Sequence, residues 1–128
     1  MARRITTGDG RAALAAVAAA RATGATGATG ADLPRAETAT AVRYLLQLLV
    51  EKAPGGTVEV RVPPYGAVQV IEGPRHTRGT PPNVVETDAA TWIDLATGAE
   101  GWGDAAASGR ILASGTRADL AALLPLRP

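Results

Sequence analysis

Thr57-Val58-Glu59-Val60-Arg61-Val62-Pro63-Pro64-Tyr65-Gly66-Ala67-Val68-Gln69-Val70-Ile71-Glu72 is the stretch that decides the fold. Its first half alternates strictly, three valines on one face and Glu59 and Arg61 on the other, which is the two-residue period of a half-buried strand. Residues 65 to 72 give a second strand, with Val68 and Val70 on one side and Ala67, Gln69 and Ile71 on the other. So short a connection joins antiparallel neighbours. The two prolines, which lack the donor a ladder needs, belong in its turn. The hairpin therefore presents one valine-rich face that something else must cover.

Upstream lies the first candidate cover. Ala41, Val42, Leu45, Leu46, Leu48, Leu49 and Val50 fall at helical spacing between Pro34, suited to a first turn, and the stop Pro54-Gly55-Gly56. A helix this apolar must be buried on more than one stripe. Residues 9 to 22 form an Ala-rich helix with Asp9 near its start, since Ala loses least on entering a helix. The Thr-Gly-Ala run from Thr23 to Ala31 has no apolar residue larger than Ala and reads as a flexible linker. The expected organisation is an N-terminal arm and linker over residues 1–31 and a folded domain over residues 32–128.

Downstream, residues 73–82 are a Gly/Pro-rich loop and residues 83–87 a third short strand. Asp88 suits the N-cap of a helix to Thr97, with Trp92, Leu95 and Ala96 at i, i+3 and i+4, and Gly98 closes it. A short helix from about Asp104 to Ser108 and a fourth strand at 110–114 follow. Thr116-Arg117-Ala118-Asp119 reads as a capping box opening a last helix, with Leu120, Leu123 and Leu124 facing inward. The sum is an α+β fold: a mainly antiparallel sheet of four to five strands with helices packed on one face.

Composition narrows the chemistry. The 128 residues suit one domain, and a net charge of +1 gives no field to draw in nucleic acid or an anionic membrane. The absence of cysteine removes disulfides, thiolate zinc sites, iron–sulfur clusters and a cysteine nucleophile, and one histidine, His76, cannot build a multi-histidine metal site. No cofactor is expected. Neither Gly-x-Ser-x-Gly nor a phosphate-cradling Gly-Lys-Ser/Thr is present. Arg3 and Arg4 lead into the polar, turn-forming run Ile5 to Gly10, and the Ala run at 12–20 is shorter than the ~20 residues a bilayer span needs. The expectation is a cytoplasmic protein with no integral membrane segment.

Two constellations offer sites. Arg75, His76 and Arg78 place two guanidiniums and an imidazole in a Gly/Pro loop, suited to a phosphate, sulfate or carboxylate head. Neutralisation by Glu72, Glu86 or Asp88 is the structural alternative. Trp92, Leu95, Trp102, Ile111, Leu120 and Leu124, with Val68 and Val70 from the hairpin, line an apolar cavity on one reading and fill the core on the other. Magnitudes favour a small or occupied space. At ~24 cal/mol per Å³, an empty pocket of ~300 Å³ costs about 7 kcal/mol, against a domain stability of about 5–15 kcal/mol.

The last third also resembles a known family. Asp88-x-x-x-Trp92-x-x-Leu95-x-x-Gly98, then Ala105, Ser108-Gly109 and Arg110-Ile111-Leu112-Ala113-Ser114-Gly115, is similar to the C-terminal half of sterol-carrier-protein-like proteins. Residues 72–88, Glu72-Gly73-Pro74 through Asn83-Val84-Val85-Glu86-Thr87-Asp88, resemble the bacterial sterol carrier orthologues of actinobacteria. The resemblance covers roughly residues 34 to 126. It implies an SCP-like fold and non-catalytic binding of a sterol, fatty acid or acyl chain between sheet and helices. Relatives that serve as appended accessory domains of enzymes imply the alternative, a closed domain with an unknown protein partner and no ligand. A weaker alternative is an enzyme domain using the Arg75-His76-Arg78 loop on a small anion.

Overall fold

The hairpin that organises the sequence organises the molecule. In the computed structural model, which describes residues 3–23, 33–73 and 83–128, β1 (Val58–Val62) and β2 (Gly66–Val70) pair antiparallel, with Val58 opposite Val70 and Val60 opposite Val68. Val58, Val60 and Val62 are buried, while Glu59 and Arg61 pair with each other on the outer face. Residues 63–65 make the turn, closed by the Tyr65 N–H on the Val62 carbonyl at 2.9 Å. The second strand stops at Val70. Ile71 takes φ +71°, a left-handed conformation costly for a β-branched residue. In that conformation its N–H donates to the Ala53 carbonyl at 2.7 Å. Gly55 makes the crossing possible, because a Cβ there would lie 2.0 Å from the Ile71 carbonyl oxygen.

Two more strands complete the described sheet. β3 (Val84–Thr87) lies parallel to β1 and β4 (Ile111–Ser114) antiparallel to β3, giving the order β2-β1-β3-β4. Two of the three pairings are antiparallel, as the alternating segments imply, and the central one is parallel because the chain crosses from the β2 edge to the far side of β1.

The helices cover the valine face. α1 (Thr7–Ala22) starts where the Thr6 hydroxyl accepts from the Asp9 N–H at 3.1 Å. It packs on α2 (Arg35–Lys52) through Gly10, Ala13 and Val17, spaced i, i+3, i+7. α2 is the central helix, touching α1, β2 and α3 (Ala89–Thr97). As its composition requires, it is buried on several stripes at once: Ala41, Val42, Tyr44, Leu45, Leu46 and Leu49 all lack exposure. Asp88 caps α3, accepting from the Thr91 N–H at 2.8 Å, and Gly98 ends it at φ +87°. α4 (Trp102–Ala107) begins two residues earlier than its acidic residue, Asp104, suggests.

The last expected helix does not form. The Arg117 N–H is taken by the Asn83 side-chain oxygen at 3.0 Å, and the Asp119 carboxylate instead caps Ala121, at the start of a single 3-10 turn, Ala121–Leu123. Ala118, Leu120 and Leu126 are buried from an irregular path, which the Leu126 N–H fastens to the Ala96 carbonyl at 2.7 Å. Tertiary partners have overridden a local helix signal.

The residues set apart in the sequence as an arm join this core in part. Ala13 and Val17 belong to the buried cluster, and Arg21 grips Asp94 of α3 with two bonds of 2.8 and 3.0 Å. The expected linker falls almost wholly at residues 24–32, outside the described residues.

Candidate functional site

One side of α2 is only partly covered. Arg43, Leu46, Gln47, Val50 and Glu51 recur at i, i+3, i+4, i+7 and i+8, so they form a single stripe along the helix. Facing them is β2, the edge strand, with Val68 on its inner face and Tyr65 at its mouth. The sheet and helix diverge here into an open groove of about 850 Å³. Gly66 lets the strand come in close, since a Cβ there would lie 3.3 Å from Leu46.

The N-terminal residues make a third wall. The Gln47 side-chain amide pairs with the backbone of Ile5 twice, accepting from its N–H and donating to its carbonyl, each at 2.9 Å. Arg4 pairs with Glu51 beside it. That carboxylate raises the Arg4 guanidinium above its ordinary value, through the hydrogen bond first and through charge second. Across the groove, Arg43 Nε donates to the Tyr65 carbonyl at 2.8 Å, tying helix to hairpin turn. The floor is apolar (Ile5, Leu46, Val50, Ala67, Val68) and the rim cationic (Arg3, Arg4, Arg43).

The residues expected to line a cavity are placed unevenly. Val68 lines the groove. Val70, Trp92, Leu95, Ile111 and Leu120 belong to the buried cluster, and Trp102 and Leu124 pack half-buried against it. Trp92 is 1% exposed, its indole N–H donating to the Val42 carbonyl at 3.3 Å. These side chains are thus packed mainly against one another in the cluster behind the sheet. Arg75, His76 and Arg78 lie outside the described residues. Sequence reasoning missed Leu46, Val50, Gln47, Tyr65 and the Arg3–Ile5 segment. The α2 stripe was visible, but its spacing is the same whether a partner covers it or not. Among the described residues, no group of three or more His, Asp or Glu is placed to hold a metal ion.

Residues 34–126 match the family described as bacterial SCP ortholog. The chain belongs to that family. No curated protein matches the chain. In this bacterial SCP ortholog, the α2 and β2 walls of the groove come from the matched residues, whereas Arg3, Arg4 and Ile5 precede them. No helix among the described residues is long and apolar enough to cross a membrane.

Proposed function

We propose that this bacterial SCP ortholog is a non-catalytic carrier, working in the cytoplasm, that binds a sterol, fatty acid or acyl chain in the groove between α2 and β2. The observation that supports it is the apolar lining of the groove between α2 and β2, where Val50 and Val68 are half-buried over the buried Leu46. A volume of about 850 Å³ lies inside the range of roughly 300–1,000 Å³ usual for small-molecule sites. Energetics bound the affinity. A buried methylene contributes about 0.8 kcal/mol, so about ten of them reach the ~8 kcal/mol of a micromolar complex. An open groove buries one side of a chain, and association has its own entropic cost. Micromolar binding is the tight limit, which suits a carrier that must release its cargo. The Arg75, His76 and Arg78 loop is not needed for this reading.

Native mass spectrometry of protein taken directly from cells tests it. A bound apolar molecule is expected, released by organic extraction and not re-acquired by a Val68→Trp variant that fills the groove. Protein that emerges empty and takes up no fatty acid or sterol would overturn the reading. The packed interior around Trp92 favours the second reading, an accessory or protein-interaction domain with no ligand. That reading predicts the empty result.

A further inference from the structure

The two edges of the sheet end differently. β2 begins after Pro63 and Pro64 and leaves the sheet at Ile71, whose left-handed turn carries its N–H to the Ala53 carbonyl. β4 is the other edge, paired with β3 on one side and with no strand on the other among the described residues. Edge strands ordinarily carry a proline, a bulge or a charge that deters a second chain. Ile111-Leu112-Ala113-Ser114 has no proline and no charge, and its register against β3 runs without a bulge. Leu112, Ala113 and Ser114 are all exposed, and Leu112 leaves 66% of a large apolar side chain in water.

We propose that β4 docks a second copy of this chain, the two β4 strands pairing antiparallel about a two-fold axis at Leu112 and joining two sheets into one. The backbone fixes which groups are on offer. The Asn83 carbonyl accepts from the Glu59 N–H of β1 at 2.9 Å, so by the alternation of a strand Val85 also serves β1, while Val84 and Glu86 turn to β4. Ser114 and Leu112 lie opposite those two, which leaves the N–H and C=O groups of Ile111 and Ala113 pointing outward. Directly opposite residues share a face, so the axis must pass through a residue position. With the axis at Leu112, Ile111 meets Ala113 of the partner subunit, and the two exchange their free backbone bonds. Both faces of the seam are then apolar: leucine on leucine outside, isoleucine on alanine inside. An axis at Ala113 would instead set each leucine against a serine. Charge agrees with the first register. Arg110, already paired with Glu100, falls opposite Ser114 of the partner subunit. Glu86, beside Leu112 on β3, is separated from its symmetry mate by both leucines, so no like charges meet. A seam this narrow falls short of the roughly 1,200–2,000 Å² of a standard interface, which makes the dimer a weak one. The groove lies at the opposite edge of the sheet, so the inference is independent of what the groove holds.

The chain contains no cysteine, so one introduced thiol reports on the register. In a Leu112→Cys variant the two thiols face each other across a pair whose Cα atoms are about 4.5 Å apart, within the roughly 4.4–6.8 Å that a disulfide spans. Air oxidation with copper phenanthroline should therefore link it into dimers. Ser114→Cys lies on the same face, but its two copies are offset by about 14 Å along the strands, and it should crosslink at least about tenfold more slowly. Sedimentation velocity of the wild-type chain over about 10–1,000 μM should show the mass rising from monomer towards dimer. Leu112→Lys, at a position where the side chain is mostly in water, should keep the wild-type circular dichroism and stay monomeric throughout. A wild-type chain that is monomeric at the top of that range, a dimer that survives Leu112→Lys, or equal crosslinking of the two thiol variants overturns the inference.

Discussion

Gly8 and Gly10 sit two positions apart in α1, yet their substitution by alanine should act in opposite directions. A Cβ at Gly8 meets nothing within 4 Å, so Gly8→Ala should raise stability by about 0.5–1 kcal/mol through helix propensity and a less floppy unfolded chain. A Cβ at Gly10 would lie 2.3 Å from the Tyr44 ring, itself buried against α1. Neither ring nor helix backbone can move away cheaply, and overpacking of about 1–3 kcal/mol outweighs the propensity gain. Urea denaturation of the two variants should show midpoints on either side of the wild type. Equal midpoints would mean that α1 does not press on Tyr44. Trp92 is a third case. Trp92→Ala removes the largest fully buried side chain and should cost about 3–5 kcal/mol. Trp92→Phe should be milder and leave fatty-acid affinity unchanged, because the ring lies in the core and not on the groove.

At the scale of elements, the tie between α1 and α3 rests on Arg21 and Asp94. Their side chains are 32% and 19% exposed, and the fork is two-pronged. It should therefore contribute about 1 kcal/mol, towards the upper end for pairs reached by solvent. A double-mutant cycle with Arg21→Ala and Asp94→Ala, read by urea denaturation, should return a coupling of that size. A coupling near zero would make the pair incidental. Such ties join residues 73 positions apart, and nothing in local sequence announces them. What local sequence did announce was patterning. The valines of β1 and β2, the stripes of α2, Asp88 as a cap and Gly98 as a stop were legible because each depends on a few neighbouring residues. A last helix does not form because Asn83, more than thirty positions away, takes the Arg117 N–H, while the Asp119 N–H and carboxylate, which a capping box would turn on Thr116, go to the Arg117 carbonyl and the Ala121 N–H. The groove was illegible for a related reason. Arg43, Leu46, Gln47 and Val50 have the spacing of any buried stripe, and only the assembled β2 edge and the Arg3–Ile5 segment reveal that a groove runs beside them.

For the molecule as a whole, the decisive contrast is between a filled middle and an open edge. Trp92, Leu95 and Leu120 occupy the region behind the sheet, while β2 and α2 part company under the Arg3–Ile5 segment. Holding the third wall in place depends on Gln47. Gln47→Ala should leave urea stability nearly unaltered, since the bonds it loses are half-exposed, yet loosen fatty-acid binding severalfold, as measured by calorimetry. Unchanged affinity would remove the N-terminal residues from the site. On the proposed reading the guest lies at this edge and not in the interior. Photo-crosslinking answers it most directly: hexadecanoate carrying a diazirine near its tail is bound, irradiated, and its attachment points are mapped by mass spectrometry of the digested protein. Labels confined to residues 3–5, 43–51 and 65–68 are the predicted result. Labels on the segment bearing Trp92 and Leu95, or no specific labelling at all, would contradict it.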